Sequence, residues 1–224
     1  MYKCHVFLDL EMNPIPKEYY EERSISRSEI IEIGAVKLDE NYNIIDKFDR
    51  FVKPEYSEVS RIITGITGIK NKDVQNAPGL SEVISEFAEW IGDEPARIYS
   101  WSLTDMYQLI DECWLKDIDM PPQLCQRWMD FQGVYTRLVG LSKANALSLK
   151  NAVMIAGYDF DGREHRAVDD AENSAFLLQI VKRGELAERT KYIKNMMANS
   201  YSGFEISDNT REALLKVAHQ LQGV

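Results

Sequence analysis

Three β-prone stretches open this chain in succession, and β-prone and helical stretches then alternate; that order constrains the fold more than any other feature. HVFLDLE (5–11) is a short apolar run that breaks into acid, as a buried strand does when it delivers side chains to a site at its end. EIIEIGAVKL (29–38) and IIDKFDRFV (44–52) flank the turn-forming DENYN and predict an antiparallel hairpin. Residues 12–28 carry two prolines, many charges and no sustained period, so they are expected to form an exposed loop beside the end of the first strand. From Leu80 to Ile91 the apolar residues Leu80, Val83, Ile84, Phe87, Ala88 and Ile91 recur at helical spacing between Gly79 and Gly92. ARIYSW (96–101) then predicts a fourth strand, and Asp105 to Leu115 the helix that follows it. Further helices are expected after Pro121 and Pro122, one opening at Ser148 as N-cap and ending near Gly157. The helix begun by HRAVDDAENSAFLLQIVKRG should present Ala171, Ser174, Ala175, Leu178 and Val181 to the core. Leu214, Val217, Ala218 and Leu221 mark a terminal helix suited to docking or dimerisation. The sum is an α/β domain with a mixed sheet.

A chain of 224 residues that is 45% hydrophobic and 28% charged can bury the core of one such domain. No apolar run approaches the roughly 20 residues needed to cross a bilayer, and the opening residues do not resemble a signal peptide. Cys4, Cys113 and Cys125 have neither redox nor zinc spacing, which suggests reduced packing residues in a soluble, cytoplasmic protein. The net charge of −10 argues against tight, long-footprint binding to polyphosphate. It leaves open a site whose clustered carboxylates are neutralised by divalent metal, or one that grips a short single-stranded end.

Three separated pieces carry chemistry. Asp9 and Glu11 stand at i, i+2 on a strand, so both carboxylates point to one face, where they repel each other unless a cation intervenes. Alone, such a pair reads equally as a solvent-facing strand end. Asp105 lies where the fourth strand turns into a helix, the end of an α/β sheet where functional groups collect; its plainer reading is an N-cap. His165 and Asp170 are five apart, about 140° around a continuous helix, so the histidine must stand on the preceding loop if both are to reach one site. The plainer reading there is a surface histidine and first-turn acids favoured by the helix dipole, a role that suits Asp169 better than Asp170.

Taken in this order, DLE (9–11), EIIEIGAVKL, FVKP (51–54), ITGIT (63–67), SWSLTD (100–105) and HRAVDDAENSA (165–175) resemble the DEDDh branch of the proofreading-exonuclease superfamily. Within it the chain is most similar to the RNA-trimming exonucleases of the histone-mRNA and small-RNA type. The resemblance runs from about Cys4 to Val181. It implies a ribonuclease H-like, mixed five-stranded sheet flanked by helices over residues 1–184, followed by a helical extension over 185–224. It also implies a 3′→5′ exonuclease of single-stranded nucleic acid, RNA favoured over DNA. A ribonuclease H-like endonuclease and a catalytically silent binding module are the alternatives on the same fold.

Carried over by position, Asp9, Glu11, Asp105, His165 and Asp170 would be catalytic, and the H-x-A-x-x-D spacing selects Asp170 over Asp169. Asp9, Glu11, Asp105 and Asp170 would hold two divalent cations, Mg²⁺ or Mn²⁺, with His165 as general base. The resemblance further implies that Glu11 and the backbone near Leu10 and Met12 meet the terminal 3′-hydroxyl, and that a loop from Thr64 to Thr67 packs Ile66 near the last base. Lys70, Lys72, Lys143, Lys150, Arg163 and Arg166 are candidate phosphate contacts. The chain departs from the family pattern in two places: at Ser102, where relatives often have Gly, and at the pair Met12 and Asn13, where they often have small residues. The expected partners are 3′ ends of RNA or DNA, no membrane, and a second copy of the chain through the terminal helix.

Overall fold

HVFLDLE becomes the central strand of a five-stranded sheet. The computed structural model of the protein describes residues 2–142 and 146–191. Its strands are β1 (Cys4–Pro14), β2 (Ser28–Leu38), β3 (Ile44–Phe51), β4 (Ala96–Ser100) and β5 (Trp128–Asp130), arranged β3-β2-β1-β4-β5. β1 pairs antiparallel with β2, and β2 with β3; β4 lies parallel to β1, and β5 parallel to β4. The mixed sheet and the hairpin match expectation. β5 has only three residues, WMD, all partly buried, so it carries no alternation that a sequence reading could detect.

The helices are α1 (Tyr20–Ile25), α2 (Arg61–Thr67), α3 (Asn71–Val74), α4 (Leu80–Ile91), α5 (Thr104–Leu115), α6 (Phe131–Leu138), α7 (Leu149–Ile155) and α8 (Ala167–Lys182). α4 has the predicted bounds and buries all six predicted residues. Each of the Leu, Val, Ile and Phe side chains contributes about 1.5 to 3 kcal/mol of hydrophobic stabilisation, which fixes the helix on the sheet. α7 opens at Ser148, whose hydroxyl accepts the Asn151 N–H, and Gly157 follows its end at φ +82°.

Two cores sandwich the sheet. Val6, Leu8 and Leu10 of β1 face α4 and α5, where Phe87 and Leu109 meet them. Phe7 faces the other way, toward Tyr135 of α6, Val153 of α7 and Ala171 and Leu178 of α8. Asp9 and Glu11 continue the Phe7 row by the two-residue period of a strand, so they emerge on the α8 face.

Residues 12–28 do not form the expected exposed loop. β1 continues to Pro14, Asn13 and Ile15 are buried, and α1 follows. Asn13 explains the extension: its side-chain N–H groups bond Ser57 Oγ and the Glu58 carbonyl, and its oxygen accepts the Ser60 N–H, fastening the start of α2 to β1. Cys4 and Cys113 are buried as expected, whereas Cys125 is exposed. Among the described residues no helix is long and apolar enough to cross a membrane. Leu186 and Thr190 pack as buried residues beyond α8. The predicted terminal helix, its role in a dimer and most of the 185–224 extension lie outside the described residues.

Candidate active site

Glycine 34 decides how α8 meets the sheet. Its β2 position lies opposite Asp9, and a β-carbon there would stand 2.0 Å from the Val168 backbone nitrogen and 2.2 Å from the Ala167 carbonyl carbon. Only glycine lets the first turn of α8 rest directly on the strand. Glu32, opposite Glu11, completes the junction. Its carboxylate accepts the Ala167 N–H at 3.0 Å and the Arg166 Nε–H at 2.9 Å, so a β2 side chain caps a helix that has no side-chain cap of its own. Burial pushes the Glu32 carboxyl up despite the Arg166 guanidinium beside it. A register shift between Glu11 and Met12, which pairs Glu11 with Glu32 but Met12 with Ile30, bends the ladder at this point.

The docked helix brings Asp170 to Asp9 and Glu11. His165 stands on the loop before α8, at φ +62°, and its backbone N–H bonds the Asp170 carboxylate at 3.0 Å. Ligand atoms of Glu11, His165 and Asp170 all lie within 4.8 Å of one another. Asp105 enters from the first turn of α5, buried; Leu103 is the residue at the N-cap position, so Asp105 is not a cap. Asp169 turns away and accepts the Arg163 N–H at 2.8 Å, a loop-closing role.

The electrostatics are those of four acids crowded out of water. Asp9 is held well above the ordinary carboxylate range by burial and then by Asp105, Asp170 and Glu11. Glu11 is pushed up to about 8 by burial, with Asp170, Glu32 and Asp105 adding to it. Asp105 rises to about 7 through burial, against the pull of its own backbone N–H and that of Leu10. Asp170 rises to about 7 through burial, against the pull of the His165 N–H. Such a cluster suits a divalent cation, which would remove the repulsion that keeps these groups protonated. Four carboxylates to one imidazole make the donor set predominantly hard oxygen.

Of the residues expected to meet a terminal nucleotide, Leu10 and Met12 turn their side chains to the core and leave backbone for the role expected of them, whereas the 63–67 segment differs from expectation. The Leu10 side chain is buried on the opposite face, among the α4 and α5 core, so only its backbone reaches the site. Met12 packs against that same core. ITGIT is no loop: it forms most of α2. Thr64 donates its hydroxyl to the Ile69 carbonyl at 2.8 Å, which commits it to the helix end. Ile66 is exposed on α2 and remains available, as does Ile62. Of the candidate phosphate contacts, Arg166 is paired with Glu32 and lies 3.6 Å from Asp49, and Lys150 pairs with Glu164 at 2.7 Å. Lys143 lies outside the described residues. Lys70, Lys72 and Arg163 are exposed.

Comparison with known proteins decides the family. The RNase_T exonuclease model matches residues 6–178. The chain belongs to this exonuclease family. Among curated relatives of the family, ERI1 exoribonuclease 2 of Danio rerio is 30% identical over 183 residues, covering 71% of this chain and 32% of that protein. 3'-5' exoribonuclease 1 of Rattus norvegicus is 28% identical over 158 residues, covering 66% of this chain and 45% of that one. The chain thus spans a third to a half of these relatives. Among solved structures, the nuclease domain of 3'hExo, a DEDDh family member bound to rAMP, superposes with a TM-score of 0.71 at 23% identity. It covers 83% of this chain and 94% of that one, which establishes the shared fold.

Two positioning residues escaped the sequence reading, Glu32 and Gly34, although both lie in the quoted EIIEIGAVKL. The available signal was an acid and a glycine inside an otherwise apolar strand, a pattern that marks close approach of another backbone.

Proposed function

We propose that this protein is a metal-dependent 3′→5′ exonuclease acting on single-stranded RNA in preference to DNA. The observation that carries it is the convergence of Asp9, Glu11, Asp105 and Asp170 with His165 around one volume, from three separate chain segments. The exoribonuclease relatives support the preference for RNA.

Asp9, Glu11 and Asp170 would hold two divalent cations, Mg²⁺ or Mn²⁺, with Asp105 completing the set for the second. When bound, the metal supplies Lewis-acid polarisation of the phosphate and a lowered pKa for the attacking water. His165 accepts the proton from that water, a task suited to an imidazole near neutrality. Its place on the loop before α8, tied through its backbone to Asp170, sets a ring nitrogen within 4.8 Å of carboxylate oxygens of Glu11 and Asp170. Water attacks phosphorus, the bond to the 3′-oxygen breaks, and a nucleoside 5′-monophosphate leaves a chain shortened by one residue. The exposed Ile66 of α2 provides an apolar wall for the terminal base.

The test is a time course on 5′-labelled single-stranded RNA and DNA of matched sequence with Mg²⁺ or Mn²⁺. A ladder of products shortened from the 3′ end, faster on RNA and abolished by EDTA or by a blocked 3′ end, is expected. Internal cuts in a 3′-blocked oligonucleotide would refute the exonuclease reading in favour of an endonuclease.

A further inference from the structure

We infer that Arg163 is a built phosphate grip at the rim of this site, holding an internucleotide phosphate of the incoming strand; the inference rests on the function proposed above. The residue sits two positions before His165, on the loop that leads into α8. Three features fix that loop. Asn173, buried in α8, accepts the Asp161 N–H at 3.1 Å and donates to the Asp161 carbonyl at 2.8 Å. Gly162 turns at φ +81°, where a β-carbon would meet the Asp169 carboxylate at 2.6 Å. Asp169 then accepts the Arg163 N–H. An arginine long enough to sweep a wide arc is thereby launched from a fixed point.

Its guanidinium crosses to α2. A β-carbon at Gly68, the left-handed C-cap of α2, would stand 2.0 Å from an Arg163 guanidinium nitrogen. The side chain therefore lies over the glycine backbone and links the His165 loop to the helix that exposes Ile62 and Ile66. Among the described residues this guanidinium has no carboxylate partner and no side-chain hydrogen bond. That sets it apart from Arg166, spent on Glu32, from Lys150, spent on Glu164, and from Lys116, buried among Glu29, Glu55 and Glu112. A strut across Gly68 would need only an apolar side chain. A planar group with five donors and no acceptor, beside an apolar wall and a nuclease centre, matches phosphate geometry. In a chain of net charge −10, such a cation also offsets the repulsion a polyanion meets at the mouth.

The probe is 5′-fluorescein single-stranded RNA. Binding is read by anisotropy in a His165→Ala background, so that the RNA stays intact, and initial rates are read in the wild-type background. Arg163→Gln should weaken binding and raise KM by about 10-fold or more. It should leave kcat within about threefold and flatten the logarithmic salt dependence of binding by about 0.7. Arg163→Lys should restore the salt slope without restoring the full affinity. The inference is overturned if Arg163→Gln keeps the wild-type salt slope, or if its loss appears in kcat together with a lowered Tm, which is the behaviour of a structural strut. A wild-type protein that binds RNA with this slope yet releases no nucleotides would overturn the proposed function and not the grip.

Discussion

Replacing Glu11 by Gln should stabilise the metal-free protein at alkaline pH. Glu11 titrates near 4.5 in the unfolded chain and near 8 in the folded one, raised by burial and by Asp170, Glu32 and Asp105. Because its folded value is the higher, the native state keeps a proton that the unfolded chain releases above pH 4.5. Its contribution is therefore fully present below pH 4.5 and is lost as pH climbs through 8. At about 1.36 kcal/mol for each pH unit of that interval, the loss is on the order of 4 to 5 kcal/mol for this group alone. The residue is only 9% exposed, so solvent screening takes little from it. Urea unfolding in EDTA between pH 5 and 8.5 would measure this. The difference between Glu11→Gln and wild type should be small at pH 5 and grow by roughly 1 kcal/mol per pH unit above it, in favour of the variant. Saturating Mn²⁺ should then restore the wild type at pH 8 and leave the variant largely unmoved. Parallel pH profiles in EDTA, or a variant less stable than wild type at pH 8, would refute the idea that the four acids are held together against their own repulsion.

Other variants probe the same site. His165→Ala should lower kcat by about 10² to 10⁴ while keeping Mn²⁺ affinity by calorimetry; a lost metal would make His165 a ligand instead of a base. Asp9→Asn should abolish ladder formation even at saturating Mn²⁺ and reduce the number of cations bound, whereas wild-type rates would remove Asp9 from the centre. Gly34→Ala forces a β-carbon to within 2.0 Å of the Val168 nitrogen, so it should cost about 1 to 3 kcal/mol. Its kcat should fall as well, since Asp170 moves with α8; an unchanged Tm and rate would show that α8 does not depend on that glycine.

The sequence by itself determined the elements whose period is local. A two-residue period put Asp9 and Glu11 on one face of β1, and a 3.6-residue period set α4 from Leu80 to Ile91. The five-residue gap from His165 to Asp170 required a loop before α8, because a helix would have turned the two apart. Tertiary structure alone decided what depends on residues distant in sequence. ITGIT, short and interrupted by Gly65, lies in helix α2, whose N-cap Ser60 is held by Asn13 of β1, 47 residues away. Arg166 and Arg163 are the same residue type three positions apart, yet one is neutralised by Glu32 of β2 and the other crosses to the Gly68 backbone of α2. Burial and proximity set the charge state of a side chain, and both arise from folding neighbours that no local pattern encodes.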